Sequence, residues 1–222
     1  VKVAVVRFPG SNCDQDAFHS LRDDVGVGAE YVWYEETDLR DYEAVFLPGG
    51  FSYGDYLRCG AMAARAPVMD EVRRFAREGR PVIGSCNGFQ ILCEAGILPG
   101  ALMRNSSEKF VCRDVWIEAQ TRRSVWTSLA DRPLKIPVAH GEGRYVCGPD
   151  GLKSLQDQDQ IAFTYLGDEE NPNGSEFNIA GVLNLKGNVL GLMPHPERAT
   201  KPILGSCDGL AILSGLKLVA AG

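Results

Sequence analysis

The sequence predicts an α/β fold: an open, mostly parallel sheet with helices on both faces and an antiparallel extension in its second half. Three observations predict it. Short apolar segments alternate with amphipathic ones through the first half, the pattern of crossover units that join parallel strands. Those apolar segments are nearly continuous, as strands buried on both faces must be. After residue 108 the pattern changes to strand-like segments with little helix between them, which calls for antiparallel pairing.

The elements follow in chain order. Residues 1–8 form an apolar strand closed by Pro9-Gly10. A helix is expected over 14–25, with Asn12 or Asp14 able to cap it. Residues 29–34 and 44–47 are short strands, the second broken by Pro48-Gly49-Gly50. Residues 67–78 suit a helix, because Pro67 fits a helix start and Gly79 its end. A strand over 81–85 runs into a helix over 88–94. The later strands are expected at 109–119, 134–139, 160–165, 179–184 and 188–193, with a hairpin turn at Asn184-Leu185-Lys186-Gly187-Asn188. A last helix is expected over 205–220. No repeat, linker or low-complexity tract divides the chain, so residues 1–222 are expected to form a single domain.

Composition narrows the function. A chain of 222 residues can bury one sizeable core. A net charge of -6 leaves no electrostatic footprint for nucleic acid or an anionic membrane. Seven cysteines at irregular spacing, with no C-x-x-C pair and no zinc-ligand spacing, fit a reduced cytoplasmic protein and no metal. Residues 1–8 lack a cleavage site of small residues and read as a strand, not a signal peptide. The apolar stretch 210–221 is short and interrupted by Lys217, too little to span a bilayer.

The chemistry centres on Gly84-Ser85-Cys86-Asn87-Gly88, directly after an apolar strand. This is the glycine-flanked form of a nucleophile elbow, which pushes the middle side chain out of the sheet at a strand-to-helix turn. A thiol there meets the positive end of a helix, which favours thiolate. The other cysteines lack this context: Cys93 suits the core of the following helix, and Cys13, Cys59, Cys112, Cys147 and Cys207 have no adjacent base in sequence. Of the three histidines, His195 stands in Pro194-His195-Pro196-Glu197. Prolines favour extended geometry, in which i and i+2 face one side, so Glu197 can orient His195 towards Cys86. His19 suits a helix surface, and His140, entering Gly141-Glu142-Gly143, is a second candidate site residue. The loop Pro48-Gly49-Gly50-Phe51-Ser52 can turn backbone N–H groups into a cavity. Gly50 and Asn87 are the expected oxyanion donors. Neither a phosphate loop of the G-x-x-x-x-G-K-[ST] form nor a G-x-G-x-x-G fingerprint occurs.

Taken together, Pro48–Ser52, Gly84–Gln90 and Pro194–Glu197 resemble the class I (triad) glutamine amidotransferases. Four further stretches resemble one family within that class, the glutaminase subunits of phosphoribosylformylglycinamidine synthase. They are Arg7-Phe8-Pro9-Gly10-Ser11-Asn12-Cys13-Asp14, Gly49–Asp55, Arg104-Asn105 with Phe110, and His140-Gly141-Glu142-Gly143-Arg144-Tyr145. The resemblance implies a flavodoxin-like sheet and hydrolysis of glutamine to glutamate and ammonia. It implies Cys86 as nucleophile, His195 as proton shuttle and Glu197 as its orienter. It places Phe51 and Gln90 in the glutamine pocket, and Asn105, Ser106, Phe110 and His140 in substrate-side segments. It also implies a separate ATP-dependent synthetase subunit, which carries the ATP and Mg, receives the ammonia and converts formylglycinamide ribonucleotide to formylglycinamidine ribonucleotide. The resemblance further implies a small bridging subunit between the two. This chain itself has no ATP motif and is expected to need no cofactor. Residues 14–21 and 53–58 are candidates for the partner surface. The alternatives are a cysteine hydrolase of the wider flavodoxin-like amidotransferase group, an amidotransferase of another pathway, and a binding subunit with an idle site.

Overall fold

A computed structural model describes residues 1–219. The apolar runs become strands β1 (Lys2–Arg7), β2 (Gly28–Trp33), β3 (Ala44–Leu47), β4 (Val82–Ser85), β5 (Ala101–Met103), β6 (Val111–Ala119), β7 (Leu134–His140), β8 (Arg144–Val146), β9 (Ile161–Tyr165), β10 (Ile179–Leu183) and β11 (Val189–Leu192). Nine of them form one sheet in the order β2-β1-β3-β4-β11-β10-β9-β6-β7. The pairings from β2 through β11 are parallel. Those from β11 to β7 are antiparallel. The 184–188 turn links β10 and β11 as a hairpin. β5 and β8 pair apart as a small antiparallel ribbon.

Alternation along the strands sorts side chains into two cores. Val3, Val5, Phe46, Ile83 and Leu190 enter one. Ala4, Val6, Val45, Leu47, Val82 and Val189 enter the other. Each such buried Val, Ile, Leu or Phe side chain contributes roughly 1.5–3 kcal/mol. Helices α1 (Asp14–His19), α5 (Leu210–Leu213) and α6 (Leu216–Val219) cover the first face through Ala17, Ile212, Leu213 and Leu216. Helices α2 (Val68–Glu78), α3 (Asn87–Glu94) and α4 (Gly148–Asp157) cover the second through Val68, Phe75, Phe89, Leu92 and Leu155. Both faces of the sheet are therefore clothed, which is why β3, β4 and β11 are buried along their whole length.

Several elements differ from the expectation. The helix after β1 widens after His19 into a π-helical segment, Ser20–Val25, that ends at Gly26 with φ 78°. Its N-cap is Cys13, with no side-chain cap, because Asp14 is held by Arg7 at 2.6 Å instead. Helix α4 and the β5–β8 ribbon were not anticipated. Segment 148–157 carries two glycines, a proline and only two leucines, so its periodicity is faint. In place of the helix expected over 205–220 stand two short helices, α5 and α6, preceded by a 3-10 turn at Pro202–Leu204. Residue 220 lies outside the described residues. Two glycines explain the breaks: a Cβ on Gly209 would lie 2.0 Å from the Pro196 carbonyl oxygen, and one on Gly215 would lie 1.7 Å from that of Val125. Among the described residues, no helix is long and apolar enough to cross a membrane.

Candidate active site

The carboxyl ends of β1, β3, β4 and β11 open on one edge of the sheet, where ligands bind in open α/β folds. The loops that follow them line a cavity of about 300 Å3 with Cys13, Gly50, Cys86 and His195.

The Cys86 elbow is strained. Its φ of 50° and ψ of -107° lie outside the regions an L-residue ordinarily occupies, at a cost of roughly 1–3 kcal/mol. The surroundings hold it there. The Cys86 N–H donates to the Leu192 carbonyl at 2.8 Å, and the Cys86 carbonyl accepts from Phe89 and Gln90 at 3.0 and 3.2 Å. The flanking glycines are required by contact: a Cβ on Gly84 would sit 2.5 Å from Gly88, and one on Gly88 would sit 2.0 Å from the Leu47 carbonyl oxygen. Strand, turn and helix are thus pressed together, and the sulfur is left facing the cavity.

His195 arrives from the end of β11, its N–H donating to the Pro137 carbonyl at 2.8 Å. The segment is not extended through Glu197 as expected, because Pro196 opens a 3-10 turn, Pro196–Arg198. That turn still brings Glu197 Oε1 to 2.7 Å from His195 Nδ1. Ser85 Oγ donates to the same carboxylate oxygen at 2.9 Å. Nδ1 is therefore committed to Glu197, and among the described residues the buried Nε2 has no hydrogen-bond partner. Burial disfavours the imidazolium, but the Glu197 carboxylate, with the Cys86 and Cys13 sulfurs, outweighs it and holds the His195 pKa well above its ordinary value. A thiol, an imidazole with a free ring nitrogen and a fixed carboxylate can together carry out nucleophilic acyl transfer.

Gly50 lines the cavity at φ 143°, where a Cβ would sit 2.8 Å from the Asn12 nitrogen. Asn87 is buried at the first turn of α3, where its backbone N–H has no intrahelical acceptor. Its side chain braces the site. Asn87 Oδ1 accepts from the Ser52 N–H at 3.4 Å, Asn87 Nδ2 donates to Gln90 Oε1 at 2.9 Å, and Gln90 Nε2 donates to the Glu142 carbonyl at 2.6 Å.

Of the substrate-side candidates, Phe51, Gln90, Phe110 and His140 line the cavity. Asn105 and Ser106 do not. Asn105 is buried behind it as a brace, donating to the Lys109 and His140 carbonyls and accepting from the Gly143 N–H. Ser106 is exposed and packs on Gly174. His140 is fixed in one tautomer. Ser175 donates twice to Asn173 Oδ1, so Asn173 Nδ2 faces His140 Nε2 at 3.0 Å. Nε2 accepts, and the proton resides on Nδ1. Burial, then the charge of His195, lowers its pKa to about 3, so His140 is neutral.

Other cavity residues were missed in the sequence. Cys13 does have a base beside it: its sulfur, a His195 ring nitrogen and a Glu197 oxygen lie within 4.8 Å of one another. Arg198 Nη2 donates to that sulfur at 3.2 Å. Such donors could hold a soft metal ion, though His195 and Glu197 are already committed to each other. Gly49 makes this crowding possible, since a Cβ there would lie 2.7 Å from His195 Cε1 and 3.1 Å from Cys13 Sγ. Asp55, Cys59 and Glu142 also line the cavity. His19, as expected, lies on a helix surface, beside Asp23.

Comparison with known proteins agrees with this geometry. The family described as the CobB/CobQ-like glutamine amidotransferase domain matches residues 1–204. The structure of PurLQS from Thermotoga maritima is similar at 44% identity and a TM-score of 0.89, covering 98% of both chains. A glutamine amidotransferase from Thermotoga maritima shares the fold at 16% identity and a TM-score of 0.64, covering 100% of this chain and 99% of that one. A putative GMP synthase protein from Thermoplasma acidophilum does so at 15% identity and a TM-score of 0.62, covering 100% of this chain and 94% of that one.

Proposed function

The chain belongs to the CobB/CobQ-like glutamine amidotransferase domain family, and on that premise we propose that it is the glutaminase subunit of phosphoribosylformylglycinamidine synthase, working in the cytoplasm as one amidotransferase domain. The observation that carries the reading is the buried His195–Glu197 pair facing the same cavity as the Cys86 elbow. Similarity to PurLQS over nearly the whole chain supports the pathway.

The geometry supports a two-step reaction. The Cys86 sulfur attacks the side-chain amide carbon of glutamine while His195 holds the thiol proton at Nε2. The oxyanion that forms lies within reach of the Gly50 and Asn87 N–H groups. Collapse expels ammonia, which takes its proton from His195, and leaves a glutamyl thioester on Cys86. Water, deprotonated by the same nitrogen, then releases glutamate. Glu197 and Ser85 act as positioning residues: they keep Nδ1 occupied so that Nε2 stays free. Phe51 and Phe110 stand exposed at the rim, and Gln90 and His140 line the interior.

Ammonia released here gains value only where an acceptor is activated. The partner in this reading is an ATP-dependent synthetase, holding ATP and Mg, which receives ammonia by channelling and aminates formylglycinamide ribonucleotide as a ligase. A small bridging subunit completes the complex. The test is glutamate release from glutamine by the purified chain, alone and with that synthetase, its ribonucleotide and ATP. Release that rises with the full mixture and vanishes in Cys86→Ala supports the reading; release independent of Cys86 overturns it.

A further inference from the structure

We propose that the carboxylates of Asp55 and Glu142 form a subsite for the α-ammonium group of glutamine, and so select a free amino acid over a simple amide. This deepens the glutaminase reading and rests on it. Both residues line the cavity that holds Cys86 and His195. Among the described residues neither carboxylate belongs to an ion pair. Asp55 Oδ1 is buried without a hydrogen-bond donor among those residues.

The lining cations are already engaged. Arg198 is bound to Asp16 at 2.8 Å and to Cys13 at 3.2 Å, and His195 is bound to Glu197. Two acids therefore face one cavity with no countercharge. Their field shows on Cys59 between them, whose thiol is pushed far up by burial and then by Asp55 and Glu142. Burial, then the charge of Glu142, likewise raises Asp55, partly offset by the Cys59 thiol. Groups in this condition are stabilised by an incoming cation.

An independent observation on the same cavity also points to a ligand. His140 is 3% exposed, and its Nδ1–H has no acceptor among the described residues. The cavity thus offers unmet acceptors for a cation and an unmet donor for an oxygen, the complement of an amino-acid zwitterion. A cavity of about 300 Å3 suits a ligand of that size.

The test follows covalent labelling of Cys86 in the full chain, read on its own peptide by mass spectrometry after digestion, with three electrophiles. Diazo-oxonorleucine carries the amino-acid head of glutamine, its desamino counterpart lacks only the ammonium, and iodoacetamide lacks the whole head. The expected result is that the unaltered chain reacts with the first about tenfold to a hundredfold faster than with the second. Asp55→Asn with Glu142→Gln brings that ratio close to one, and either single substitution lowers it severalfold. Labelling by iodoacetamide at an unchanged rate reports an intact elbow in each variant. A ratio that survives in the variants while glutamine still protects Cys86 from iodoacetamide overturns the subsite alone. If glutamine gives the unaltered chain no protection, the glutaminase reading fails and the subsite with it.

Discussion

Replacing His140 by Asn should flatten the acid side of this protein's stability profile. The native imidazole has a pKa of about 3, set by burial and then by the His195 charge, against an ordinary value of 6.5 in the unfolded chain. Below 6.5 the unfolded chain takes up a proton that the folded chain refuses. The stability from this group is therefore complete above 6.5 and is lost as pH falls towards 3. The slope is about 1.4 kcal/mol per pH unit, so going from about pH 7.5 to about pH 5 costs about 2 kcal/mol. His195 contributes with the opposite sign and is common to both proteins. Its folded pKa is raised, so its contribution is complete below 6.5 and is lost progressively as pH rises from there through the folded value.

Urea unfolding of the unaltered chain and of His140→Asn, each at both pH values, isolates the effect as a double difference. Carboxylates common to both proteins subtract out. Asn173 Nδ2 retains the Tyr165 hydroxyl at 3.2 Å, so the variant does not strand that amide. The unaltered chain should lose about 2 kcal/mol more than the variant between the two conditions. Equal losses would refute the neutral, buried imidazole and, with it, the tautomer assigned to His140.

Two further outcomes test the catalytic frame. Ser85→Ala removes the 2.9 Å hydrogen bond that anchors Glu197 and should lower kcat for glutamate release about tenfold, with KM little changed; a rise in KM alone would assign Ser85 to substrate binding. Gly88→Ala puts a methyl 2.0 Å from the Leu47 carbonyl oxygen and should destabilise the fold by about 1–3 kcal/mol in urea unfolding; an unchanged midpoint would show slack between β3 and α3.

The elbow was legible because its causes are local. An apolar strand, two glycines and a following helix suffice to place a thiol at a tight turn, and the clash distances at Gly84 and Gly88 show why the pattern is tolerated only with glycine. The His195–Glu197 pair was legible for a similar reason, although Pro196 achieves it through a 3-10 turn. The C-terminal helix failed as an expectation because the reason for its breaks lies elsewhere in the chain. Gly209 packs on Pro196, and Gly215 packs on Val125, neither of which a helical pattern over 205–220 contains.

What remained hidden was the place of Cys13 where distant loops meet. Cys13, Gly49 and Gly50, Cys86 and His195 follow β1, β3, β4 and β11, strands that are scattered in sequence but adjacent in the sheet. Four parallel neighbours deliver their following loops to one edge, so sheet order alone places the sulfur of Cys13 beside His195. The same logic separates Asn105 from Glu142. Both lie in polar loops of the second half, but Gln90 draws the Glu142 backbone onto α3, whereas Asn105 spends its amide on backbone groups behind the cavity. Residue type marked each as polar and capable; only the hydrogen-bond partners decide which one faces the reacting thiol and which one holds the wall.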